Sequence, residues 1–129
     1  MDATEALIAF LTHAVRRHRR DRYIGFAPNP KARQKILADF YHNFHDCIDP
    51  AKVVPALPRS AWQATAYSYA APNEFGVEAS SLQSAYDSNN EAFLLITRDA
   101  QYGVFCEEAY SGKGGTRQLF ISLPGPSAA

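Results

Sequence analysis

The chain has 129 residues, 47% of them hydrophobic, 12% aromatic and 20% charged, with 13 basic residues balanced by 13 acidic ones. That length suits one domain able to bury about two-thirds of its unfolded surface, and the balance excludes both a disordered polar chain and a uniformly basic or acidic module. Cys47 and Cys106 stand far apart in no metal-ligand spacing, which excludes a disulfide framework and a zinc module and favours a reducing compartment.

The first helix is predicted to start at Asp2, with Glu5 three residues on as a capping box and Leu7, Ile8, Leu11, Ala14 and Val15 along one face. It is expected to continue through Arg16-Arg17-His18-Arg19-Arg20-Asp21-Arg22, where positive charge suits a helix C-terminus, and to end at Gly25. Pro28-Asn29-Pro30 punctuates the chain, with Asn29 placed to cap a second helix that Pro30 opens. Ile36, Phe40, Phe44 and Ile48 recur every four residues, and that helix is expected to stop before Asp49-Pro50.

Pro50, Pro55 and Pro58 interrupt regular structure, so the stretch to Arg59 reads as an ordered extended connection or a hinge. Between Trp62 and Ala71 two patterns compete: Trp62, Ala64 and Ala66 alternate like a strand, while Trp62, Ala66 and Tyr69 would share a helical face. Tyr67 and Tyr69 tip the reading towards strand. Pro72-Asn73-Glu74 and Gly76 mark a turn, and Ser80 followed by Gln83 reads as a capping box for a short helix ended by Asp87-Ser88-Asn89-Asn90.

Glu91 to Tyr110 carries the densest strand signal. Phe93-Leu94-Leu95-Ile96 and Tyr102 with Val104-Phe105-Cys106 flank the polar Arg98-Asp99-Ala100-Gln101, a hairpin whose continuous apolar run suggests cover on both faces. Beyond the loop Ser111 to Thr116, Leu119, Ile121 and Leu123 share one face of a last strand, and 124–129 is a frayed tail. The fold class is α+β: a single domain over 1–123, with two N-terminal helices and one short helix packed on one face of a small antiparallel sheet centred on the 91–110 hairpin.

Chemistry is sparse. Gly112-Lys113-Gly114-Gly115-Thr116 looks like a phosphate loop but lies between strands, without the helix a P-loop opens, and reads better as a hairpin loop. Glu107 and Glu108 are neighbours on a strand and point to opposite faces, so they form no carboxylate pair. Asp39, His42 and Asp46 share a helix face but lack a third ligand from another element, and no metal or other cofactor is expected.

Charge is divided along the chain. Ten bases face six acids up to Arg59, and three bases face seven acids from Ser60 onward. Arg16, Arg17, Arg19, Arg20 and Arg22 either cap their helix and pair with the acidic second half or present a surface to a partner. With no nucleophile and base set in view, the sequence points to a small protein-binding or regulatory domain, possessing a protein partner or forming a homodimer. Its binding residues would be those arginines together with an aromatic patch of Tyr67, Tyr69 and Phe75. The alternative is binding of nucleic acid or another polyanion through the Arg16–Arg22 helix end, and a third reading is an enzyme with an unrecognised acidic site. The acidic start of the chain and the absence of any apolar run near the roughly 20 residues that span a bilayer lead to the expectation of a cytoplasmic protein without membrane contact.

Overall fold

In chain order the computed structural model, which describes residues 1–26, 28–29, 46–69, 75–88, 93–106 and 118–123, contains helices α1 (Ala3–Ala14) and α2 (Arg17–Phe26), strand β1 (Val53–Val54) and helix α3 (Arg59–Gln63). Strands β2 (Ala66–Ser68) and β3 (Val77–Ala79), helix α4 (Leu82–Ser88), and strands β4 (Phe93–Thr97), β5 (Tyr102–Cys106) and β6 (Gln118–Ser122) follow. The strands form one antiparallel sheet in the order β1-β6-β5-β4-β2-β3. The chain is α+β, and the β4–β5 hairpin lies in the middle of its sheet.

Alternation along β4 explains why its apolar run is continuous. Leu94 and Ile96 enter a core with α1, α2 and the Cys47-Ile48 segment, while Leu95 enters a second core with Leu57, Ala61, Leu82 and Ala85. All three are fully buried, each worth roughly 1.5–3 kcal/mol of transfer free energy as an upper bound. Helices therefore cover both faces, α1 and α2 on one and α3 and α4 on the other, rather than one face alone.

The α1 capping box is present: Glu5 N–H donates to Asp2 Oδ1 (2.8 Å) and Asp2 N–H to Glu5 Oε1 (3.2 Å). Its inward face is Ala6, Leu7, Phe10, Leu11 and Ala14. Phe10, absent from the stripe read in the sequence, lies over Gly103 of β5, where a Cβ would come within 2.6 Å of Phe10 Cζ. Gly103 is thus the gap that lets α1 approach the sheet.

Three segments depart from expectation. The first helix does not run on through the arginines: Val15 is extended and bridges Ile48, and a new helix starts at Arg17 and passes through Gly25. The proline-rich connection holds a 3-10 turn, Pro50–Lys52, capped by Asp49 Oδ1, and then β1, whose Val53 and Val54 pair with Ile121 and Phe120. The ambiguous Trp62 segment is both elements in succession, α3 and then β2; Trp62 meets Tyr86 and Phe120 edge to face at 5.3 and 5.9 Å. Ile48, expected as the last residue of the second helix's stripe, instead bridges Val15; the body of that helix lies outside the described residues, as do Pro72-Asn73-Glu74 and the tail.

Both turn signals that remain are met locally. Gly76 has φ +69°, a left-handed position beside Ala3. In the β4–β5 turn it is Ala100 that takes φ 59°, and Asp99 Oδ1 offsets that strain by accepting from Thr97 Oγ1 (2.7 Å) and Gln101 N–H (3.0 Å). The short helix is capped one residue later than predicted, Ser81 Oγ accepting from Ser84 N–H at 3.1 Å, while Gln83 instead donates to Asp87.

Two predictions follow from this packing. Gly103→Ala should lower the unfolding free energy by about 2 kcal/mol in urea, and by less in a Phe10→Leu background; equal costs in both backgrounds would show that the ring does not set the limit. The Asp2 carboxyl is held below its ordinary range, chiefly by the Glu5 N–H it accepts. A depressed carboxylate stabilises the fold above its unfolded pKa, and that contribution is lost as pH falls through the folded value. NMR titration of Asp2 should accordingly give a midpoint below that of a free aspartate, with protection of the Glu5 amide declining through the same range.

Candidate functional site on the arginine helix

At the junction of α1 and α2 the chain meets the segment that precedes the 3-10 turn. Arg16 N–H donates to Cys47 O (2.7 Å) and Asp49 N–H to Ala14 O (2.8 Å), on either side of the Val15–Ile48 bridge. These bonds end α1 and fix where α2 begins. Arg16 becomes the residue before the new helix, and Arg17, His18, Arg19 and Arg20 form its first turn.

That placement inverts the electrostatic expectation. At a helix C-terminus arginines meet the negative end of the macrodipole, whereas at an N-terminus they add to a positive one. The first turn of α2 contains no acidic residue.

The five arginines have different surroundings. Arg20 Nε donates to Val15 O at 3.0 Å, so this one satisfies a carbonyl at the end of α1. Arg19 is half-exposed, and its pKa is pushed further up first by the charge of the adjacent Cys47 sulfur and then by the hydrogen bond to Tyr23. Tyr23 and Cys47 are themselves joined, Oη to Sγ at 2.7 Å, in a buried contact that ties α2 to the 46–49 segment. Arg16 is half-exposed, and its Nε is buried without a hydrogen-bond partner among the described residues.

Arg17 and Arg22 are exposed, with His18 and Asp21. At about 100° per residue these four occupy an arc of roughly 140° in the order Arg17, Asp21, His18, Arg22, while Tyr23 points to the opposite, buried side. Among the described side chains of α2, none on this exposed arc is apolar.

Pairing with the acidic second half is not what engages its described acids. Glu78 lies 3.8 Å from Arg98, Asp87 accepts from Gln83, and Asp99 holds its own turn. Each is matched within its own half of the chain.

The aromatic patch is corrected by burial. Tyr67 is 6% exposed and donates its hydroxyl to Met1 O at 2.5 Å; Tyr69 is fully buried and donates to Ala3 O. Both anchor the start of α1 to β2, and Tyr69 meets the half-buried Phe75 edge to face at 5.1 Å. The chain around Met1 also borders an open depression of about 430 Å³ with Ala64, Thr65, Arg98 and Asp99, the last two being the residues already engaged with Glu78 and the hairpin turn.

Other candidates fall elsewhere. Asp46 is exposed, while Asp39, His42, Glu107, Glu108 and the loop Gly112 to Thr116 lie outside the described residues. Among the described residues no group of three or more His, Cys, Asp or Glu could hold a metal, and no helix is long and apolar enough to cross a membrane. Compared with known proteins, the chain matches no family model, no curated protein and no solved structure.

The Tyr23–Cys47 contact had no signal in the sequence, because 24 positions separate its two residues. Tyr23→Phe should cost about 1 kcal/mol in equilibrium denaturation, the usual contribution of one buried hydrogen bond. An unchanged unfolding midpoint would show that this bond does not help hold α2 in place.

Proposed function

We propose that this chain is a binding domain without catalytic machinery, and that its working surface is the exposed face of α2, which meets an acidic partner. The observation that carries the reading is the basic first turn of α2, Arg17 to Arg20, placed where the helix dipole disfavours positive charge. A structural purpose accounts for Arg20 through its bond to Val15 O, whereas Arg17 stands exposed at the first position of the helix. Burial of Tyr67 and Tyr69 speaks against the aromatic patch and so favours the arginines as the binding residues.

Stability and binding should respond in opposite directions. Arg17→Glu replaces a disfavoured charge by a favoured one and should raise the unfolding free energy by about 0.5 kcal/mol at low salt. The same change, or Arg17→Ala with Arg22→Ala, should lower the salt concentration at which the protein elutes from immobilised heparin. Loss of stability in Arg17→Glu with unchanged heparin elution would return these arginines to a structural role and end the proposal.

A further inference from the structure

We infer that the cluster of Cys47, Tyr23 and Arg19 is a redox switch for α2: two-electron oxidation of the Cys47 sulfur by a peroxide displaces Tyr23 and loosens the helix. This rests on the reading of α2 as the working surface and adds a means of regulating it. Cys47 holds α2 at two points. Its carbonyl accepts from Arg16 N–H (2.7 Å) where the helix begins, and its sulfur meets Tyr23 Oη (2.7 Å) about two turns further on. Tyr23 is 1% exposed and Cys47 fully buried.

A thiol buried in apolar surroundings is inert, because burial disfavours the thiolate that reacts. Cys47 is placed differently. The Tyr23 hydroxyl is positioned to donate to the sulfur, and the Arg19 guanidinium meets both sulfur and hydroxyl, so a donor and a cation together favour the charged form. Arg19 is half-exposed, which brings this cluster to the surface along one side chain. Of the described carboxylates nearest in the chain, Asp46 is exposed and Asp49 accepts from Ala51 N–H in the 3-10 turn. Cys106 supplies a contrast within the same molecule, lying 4% exposed in the second core with Leu57, Leu82 and Val104.

In the oxidation a sulfur electron pair attacks one peroxide oxygen. The S–O bond forms as the O–O bond breaks, the second oxygen leaves as hydroxide and takes up a proton to become water, and the thiolate becomes a sulfenic acid. Sulfur loses two electrons and the peroxide gains them. A dithiol reverses the change: its first sulfur condenses with the sulfenic acid to a mixed disulfide and water, and its second displaces the Cys47 thiolate.

The packing converts this chemistry into movement. At 2.7 Å the sulfur and the hydroxyl leave no room for another heavy atom between them, so an oxygen added there pushes Tyr23 away. Among the described side chains of α2 Tyr23 alone is buried, and its displacement takes the helix's anchor out of the core.

The test treats the full chain with hydrogen peroxide, then quenches samples into denaturant containing dimedone so that sulfenic acid at either cysteine is trapped and located by mass spectrometry. Amide hydrogen exchange and elution from immobilised heparin are followed on the same material before oxidation, after it, and after dithiothreitol. Cys47 should be trapped well before Cys106. Exchange of the α2 amides should quicken by about tenfold or more while that of β4 and β5 is unchanged, as expected for overpacking confined to one element. Heparin elution should move to lower salt, and dithiothreitol should restore both. Arg19→Gln, with folding checked by circular dichroism, should slow Cys47 oxidation by about threefold or more by removing the cation beside the sulfur.

Oxidation of Cys106 ahead of Cys47, or an unchanged rate in Arg19→Gln, would overturn the role given to the cluster. Heparin binding by the reduced protein together with α2 exchange that oxidation of Cys47 leaves unaltered would overturn the switch alone. Reduced protein that fails to bind heparin would end the reading of α2 as the working surface, and with it the switch as a regulator of binding, even where α2 loosens on oxidation.

Discussion

Two short backbone segments, Ala14 to Arg16 and Cys47 to Asp49, lie side by side, and their pairing sets the direction of everything near the N-terminus. Arg16 N–H and Asp49 N–H each donate across the gap, and Val15 bridges Ile48 between them. Val15, Cys47 and Ile48 are all buried, so a bond left unmade here would cost about 1–3 kcal/mol. Continuing α1 through the arginines would gain only tenths of a kcal/mol per residue in helix propensity. The pairing wins, α1 stops at Ala14, and the arginines change from the end of one helix to the start of another.

The same segment feeds the sheet. Asp49 caps the 3-10 turn that delivers Val53 and Val54 to the edge of β6, so one short stretch breaks α1 and supplies β1. On the sheet itself, Phe10 over Gly103 brings α1 close to β5, while Leu95, Val104 and Cys106 face α3 and α4. Two cores share each central strand, which binds the helices of both faces to one set of ladder hydrogen bonds.

Legibility in the sequence followed the range of the interaction. Asp2 with Glu5 is a contact over three residues, and it is where the pattern placed it. The hairpin was equally clear, because a continuous apolar run needs only its own strand to be recognised. The final strand was read correctly as well, with Leu119, Ile121 and Leu123 directed to one core. What escaped depended on distant partners. Val15 leaves its helix for Ile48, Val53 becomes a strand only because β6 is beside it, and Tyr69, a plausible surface aromatic by type, is buried by its contact with Ala3. At the candidate site the arginines were visible as composition, but their sign relative to the helix dipole was not, since it turns on where α1 ends.

That sign decides how the arginine run should be understood. A charge at the favoured end of a helix can be explained by stability alone. One at the disfavoured end, repeated over a full turn, needs another reason or a compensating bond. Arg20 has the bond, to Val15 O, and Arg19 is drawn towards the Cys47 and Tyr23 pair. Neither explanation extends to Arg17, which is exposed at the first position of the helix. Screening at physiological salt keeps the repulsion small, so the fold tolerates it while both cores remain intact. An acidic partner of the kind proposed would reverse the sign of this term, making the positive helix end favourable where it is mildly unfavourable to the isolated domain.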